Sequence, residues 1–174
     1  MKPLSNILLI SGTGQNSGKT TLACRLIAEF SKKFPVTAIK ISPHFHEPPP
    51  QLPVVSSHKG FVIYEETQHN TGKDSSRFLD AGAQKVYFIT AQRDMQGKAM
   101  ETLLEKIPAT TPLICEAGGL HHFYKPALHI VTLSKNKPRQ KEIPESADVV
   151  VEFDGVGFVP EVEVEWNGEK WSFL

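Results

Sequence analysis

The chain is short of cysteine, carries no net charge and has no long apolar run, and each shortage narrows what it can be. Cysteine occurs only at Cys24 and Cys115, both inside apolar segments. That pattern fits two buried, reduced thiols rather than a disulfide framework. Lysine plus arginine balance aspartate plus glutamate at 19 each, so no overall field draws nucleic acid or anionic lipid to the surface. A charged ligand must be met by a local arrangement instead. The first apolar run, Ile7 to Ile10, is too short for the core of a signal peptide, and no later run is long enough to span a membrane. The expected compartment is the cytoplasm, with neither nucleic acid nor membrane as a partner.

What remains is the composition of an ordinary globular domain. The 174 residues, 40% hydrophobic and 22% charged, suffice for one core, and no linker or repeat divides residues 1–174. Asn6 to Ser11 is a short continuous apolar stretch, the pattern of a strand buried on both faces. A glycine-containing loop follows, then a helical stretch from Lys19 to about Lys33 with Leu22, Leu26, Ile27 and Phe30 on one face. Pro35 ends it.

Further strands are expected at 36–41, 61–64, 86–90, 112–116, 127–133 and 147–153, and helices from Asp74 or Ser75 to Ala81-Gly82 and from Met95 to Lys106. Asp74 and Ser75 are both plausible N-caps. Between the second strand and Phe61, a proline-rich excursion (Pro43, Pro48, Pro49, Pro50, Pro53) can hold neither a helix nor a central strand. Asn167-Gly168 between alternating segments signals a hairpin in the tail, residues 158–174. Strands alternating with helices predict an α/β fold, a mostly parallel sheet with helices on both faces, and the hairpin as an antiparallel addition at one edge.

The segment Gly12-Thr13-Gly14-Gln15-Asn16-Ser17-Gly18-Lys19-Thr20-Thr21 joins the first strand to the first long helix. That is the setting of a P-loop, where backbone N–H groups at a helix start cradle phosphate oxygens. Residues Gly14 to Thr21 are the candidate nucleotide-binding set. Gly18 permits close approach, Lys19 reaches the outer phosphates as the candidate catalytic residue, and the Thr20 hydroxyl ligates Mg2+. The glycines at 12 and 18 give a loop one residue longer than the usual spacing.

Other positions carry weaker signals. Glu116 ends a buried strand before Ala117-Gly118-Gly119, where a carboxylate can hold magnesium through water or merely finish a strand. Asp74 is a second metal-side carboxylate or simply a helix cap. Lys73 and Arg77 could meet a substrate anion or lie solvated. His44, His46 and Glu47, with His121-His122, have a spacing that invites a metal reading, but substrate-side or surface histidines suit such loops better. Ser134-Lys135-Asn136-Lys137 departs from the Asn-Lys-x-Asp guanine motif and reads as a solvated basic loop, so the base is not legible.

Taken in order, Asn16 to Leu22, Ala38-Ile39-Lys40 with its histidine-bearing loop, Thr71-Gly72-Lys73-Asp74-Ser75 through Ala81-Gly82-Ala83, and Ile114-Cys115-Glu116 form a series. It resembles the molybdopterin-guanine dinucleotide biosynthesis protein B (MobB) family of P-loop NTPases. The resemblance covers about the first two thirds of the chain as short ordered motifs. It implies a GTP-binding, weakly hydrolysing homodimer that assists a molybdenum-cofactor nucleotidyltransferase. It also implies phosphates on Asn16 to Thr21, and Mg2+ served by Thr20, Glu116 and Asp74. The Gly-Thr-Gly opening of the longer loop also resembles dethiobiotin synthetase, which implies a small ATP-dependent synthetase as the alternative.

Overall fold

A computed structural model describes residues 1–45 and 49–174. The strands run in chain order as β1 (Lys2–Gly12), β2 (Thr37–Ser42), β3 (Val54–His58), β4 (Phe61–Glu65), β5 (Lys85–Ala91), β6 (Leu113–Glu116), β7 (Tyr124–Ser134), β8 (Val149–Phe153), β9 (Phe158–Val159), β10 (Val164–Trp166) and β11 (Trp171–Phe173). The helices among the described residues are α1 (Lys19–Phe30), α2 (Asp74–Asp80) and α3 (Gln96–Leu104), with short 3-10 turns at Arg93–Met95 and Leu120–His122. None is long and apolar enough to cross a membrane.

Among the described residues, nine strands form one sheet in the order β3-β4-β5-β2-β6-β1-β7-β8-β9. From β5 to β8 every neighbour is parallel, while β3, β4 and β9 add antiparallel margins. The protein is thus α/β with a mostly parallel sheet. Ile7, Leu8, Leu9 and Ile10 of β1 are all fully buried, because the central strand is covered on both faces. Leu8 and Ile10 join Leu22, Leu26, Ile27 and Phe30 of α1 and Phe78 of α2 on one face. Ile7 and Leu9 join Ala99, Met100 and Leu103 of α3 on the other.

Three expectations change. β3 follows directly on the proline-rich excursion, in residues where no element was expected; it forms the sheet's outer edge, where three of its five residues are exposed and the period-2 signal is weak. The tail hairpin is antiparallel, but it is a separate two-stranded unit rather than an edge addition. Trp171 decides this. It is 2% exposed, meets Phe30 edge-on at 4.7 Å and donates its indole N–H to Asn6 O at 3.1 Å. Burying so much aromatic surface against α1 outweighs extending a sheet edge, and β9 takes the edge instead. Finally, neither Asp74 nor Ser75 caps α2: the cap position is Lys73, with no side-chain cap bond. Asp74 pairs with Lys40 and Ser75 Oγ donates to Glu66 Oε2 at 2.6 Å.

Candidate functional site

The carboxyl ends of β1, β2 and β6 open into a cleft of about 2150 Å³. Crevices at the carboxyl ends of parallel strands are the habitual ligand sites of open α/β sheets. From β1 the chain turns through residues 12–18 into α1, and the first intrahelical bond runs from Leu22 N–H to Gly18 O. The amides of Lys19, Thr20 and Thr21 therefore precede the helical ladder at the positive end of the helix dipole.

Glycine is required at two points of this turn. Gly18 has φ 90, and a Cβ there would lie 2.6 Å from Phe153 Cγ. Gly12 leaves room for Lys19, whose Cδ a Cβ would meet at 2.9 Å. The Lys19 stem folds back over Gly12, and its Nζ donates to Gly14 O at 2.7 Å. Burial pulls the Lys19 pKa below the ordinary lysine value; Lys40 and Lys141 push the same way and Glu116 opposes them.

The other loop residues divide by role. Ser17 is turned inward, donating to Gly14 O at 3.1 Å and bonding Thr132 Oγ1 at 2.9 Å. Gln15 and Asn16 are exposed at the loop's tip, with Asn16 at φ 56. Gly14 lies under the Gln140 side chain, and the amides of Gln140 and Lys141 both donate to Thr13 O. The segment after β7 is thus laid against the loop.

Thr20, Glu116 and Asp74 converge across three elements. Thr20 Oγ1 donates to Glu116 Oε2 at 2.9 Å. Lys40 Nζ bonds Glu116 Oε1 at 2.5 Å and Asp74 Oδ2 at 2.9 Å. Burial, the largest influence on Lys40, works against its charge, yet the two carboxylates outweigh it and its pKa is raised. Asp74 responds in kind: burial would raise it, but Lys40 and Thr20 hold it below the ordinary carboxylate value. Thr20, Glu116 and Asp74 offer oxygen atoms alone, the donors a hard divalent cation takes.

Lys40 is the site residue that the sequence pattern conceals. A lysine near the end of an apolar strand looks like a snorkelling edge charge, and only its two acidic neighbours reveal it. Thr132, which bonds Ser17 Oγ, and Gln96 and Lys141, which line the cleft, belong to no motif either. Thr21, Lys73, Arg77, His44, His121 and His122 also line the cleft. His46 and Glu47 lie outside the described residues. Among the described residues no group of three or more His, Cys, Asp or Glu side chains could hold a metal ion. Ser134 to Lys137 is tied to the end of β8 through Lys135 N–H to Phe153 O; the residues that follow, Gln140 to Pro144, line the cleft instead.

Three histidines gather here: His121 and His122 line the cleft, and His129 does not. His129 is fully buried between Ser11 Oγ at 2.8 Å and Ser146 Oγ at 3.0 Å, and burial lowers its pKa. His121 stacks on it at 5.3 Å, and burial, with His122 and His129 nearby, pulls His121 down to about 4. Beside it, Gln96 Oε1 and His121 Nδ1 are buried without a hydrogen-bond partner. Cys24 and Cys115 are both free. No family model, curated protein or solved structure matches this chain.

Proposed function

We propose that this chain is a P-loop protein that binds a nucleoside triphosphate with Mg2+ on residues 12–21, favours GTP and hydrolyses it slowly. One observation carries the proposal. Lys19, Thr20 and Glu116 meet at the mouth of one loop, the lysine folded onto Gly14 O at 2.7 Å and the threonine bonded to the strand-end carboxylate at 2.9 Å. In a P-loop those are the positions for a phosphate cation, a metal-side hydroxyl and a metal-side acid.

In this reading the loop amides and Lys19 hold the phosphates, while Thr20 and Glu116, with Asp74 beside them, hold magnesium. Magnesium supplies charge neutralisation between the outer phosphates. Slow hydrolysis is what the resemblance to the MobB family implies. The resemblance to the MobB family supports GTP, a homodimer, and service to a molybdenum-cofactor nucleotidyltransferase. Titrating labelled GTP and ATP with magnesium tests the reading; a clear preference for ATP together with a small acid would sink the GTP assignment.

A second reading has its own observation. The cleft exceeds the roughly 300–1,000 Å³ of an ordinary ligand pocket and its lining runs on to the polar side chains of Gln96 and His121. Room and polar atoms for a second small ligand suit an ATP-dependent synthetase of the dethiobiotin type. ADP release that depends on one particular acid would favour it.

A further inference from the structure

Lys40 stands where the acidic side chains of the cleft converge. Its ammonium lies 2.9 Å from Asp74 Oδ2 and bonds one Glu116 oxygen, while Thr20 holds the other. Glu116 is almost wholly buried, its side chain 2% exposed, and Lys40 is 17% exposed. A buried carboxylate needs a cation beside it, and here the chain supplies its own. The oxygens around this ammonium are the same ones that suit a divalent metal. Two cations cannot share them at such distances without strong repulsion.

Resting on the nucleotide reading above, we propose that Lys40 is a resident counter-ion that holds the metal position between Glu116 and Asp74. It yields that position only to a metal arriving with a triphosphate, so ion and nucleotide bind as a unit and the ion never binds first.

The local charges give the reason. Lys40 already faces both carboxylates, and Lys19 and Lys141 line the same cleft, so the chain itself meets the carboxylate charge. A divalent ion entering alone would have to displace a cation that the carboxylates already hold. A triphosphate brings negative charge of its own and gives Lys40 an anion to move to within the same cleft. The four-carbon lysine stem allows that movement, and Lys40 itself lines the cleft together with Ile41 and Ser42.

The test is Mn2+ titration followed by electron paramagnetic resonance, without nucleotide. Lys40→Met keeps the stem and removes the charge, and it is expected to bind Mn2+ about tenfold or more tightly than wild type, since a repelling cation has left the site. Adding Asp74→Asn should cancel that gain. Equal or weaker Mn2+ binding by Lys40→Met overturns the proposal. Because this arm contains no nucleotide, its failure is distinct from failure of the nucleotide reading, which would appear as wild type binding neither GTP nor ATP with magnesium.

Should Lys40→Met fail to fold, the wild-type ammonium can be followed directly. With 15N-labelled lysine, and the resonance assigned by its loss in Lys40→Arg, the Lys40 signal is expected to move on adding Mg2+ with GTP and to stay put with Mg2+ alone. A signal that moves with Mg2+ alone, or does not move in either case, overturns the exchange.

Discussion

Thr20 Oγ1 donates a 2.9 Å hydrogen bond to Glu116 Oε2 across 96 residues of chain, tying the start of α1 to the end of β6. Those two elements meet because β6 lies directly beside β1 in the sheet, with Ile10 paired to Glu116. The bond places a hydroxyl and a carboxylate at the mouth of the loop before any ligand is considered. Such preorganisation spares a ligand the cost of assembling the site.

Thr20→Val keeps the shape and deletes the hydroxyl. In the proposed function it weakens magnesium-dependent nucleotide binding by roughly tenfold, the worth of one hydrogen bond to a charged group. Binding in excess chelator should change far less. Isothermal titration with and without magnesium measures both, and an equal loss in the two conditions would remove Thr20 from the metal side.

Lys19→Ala removes the ammonium from the loop but no core packing. Nucleotide affinity is expected to fall roughly ten- to a hundredfold, as for a charge-assisted hydrogen bond, while the urea midpoint stays close to wild type. Unchanged affinity would count against the phosphate assignment.

Gly18→Ala tests the turn itself. The backbone there has φ 90, and the new methyl would press on the Phe153 ring, which stacks on Phe158 at 4.8 Å. A destabilisation of about 1–3 kcal/mol is expected from strain at this position, read from urea unfolding. A neutral result would mean that the loop adopts another conformation.

Trp171→Ala should cost about 3–5 kcal/mol, as large aromatic deletions from a core do. Its ring is buried against Phe30 and its N–H is bonded to Asn6 O. Unfolding of this variant would show whether the hairpin belongs to the core or merely decorates it.

His121 makes stability depend on acid. Its folded pKa is about 4, against about 6.5 for an unperturbed histidine. Between those values the unfolded chain binds the proton and the folded chain does not, so stability falls as pH drops through this window and levels off below it. His129 is shifted in the same direction and adds to the slope. Urea midpoints from pH 7 to 4 measure it, and His121→Asn should flatten the dependence. A midpoint unchanged across this range would contradict the burial of these rings.

Much of the fold was legible because its signals are local. The apolar run at 7–10, the amphipathic stretch after Lys19 and the Asn167-Gly168 turn each lie within a few residues, and periodicity or turn chemistry reports them directly. β3 was not legible, since an edge strand with three of its five residues in water shows little alternation. Asp74 was open between cap and ligand; it lies inside the helix, one residue past the cap position, and its carboxylate pairs with the Lys40 ammonium at 2.9 Å. The hairpin's existence was written in Asn167-Gly168, but its seat was set by Phe30.

The sequence by itself determined most of the elements, the edge strand β3 excepted, together with the mostly parallel α/β class and the glycine-bearing turn from a central strand into a helix. These depend on interactions between near neighbours in the chain. Only the tertiary structure decided that Lys40 lies between Glu116 and Asp74, that Gln140 and Lys141 lie against the loop, and that the Trp171 hairpin covers α1. Strand order brings Lys40 and Glu116 together across 76 residues. No local pattern encodes such a meeting, because it follows from which strands share the middle of the sheet.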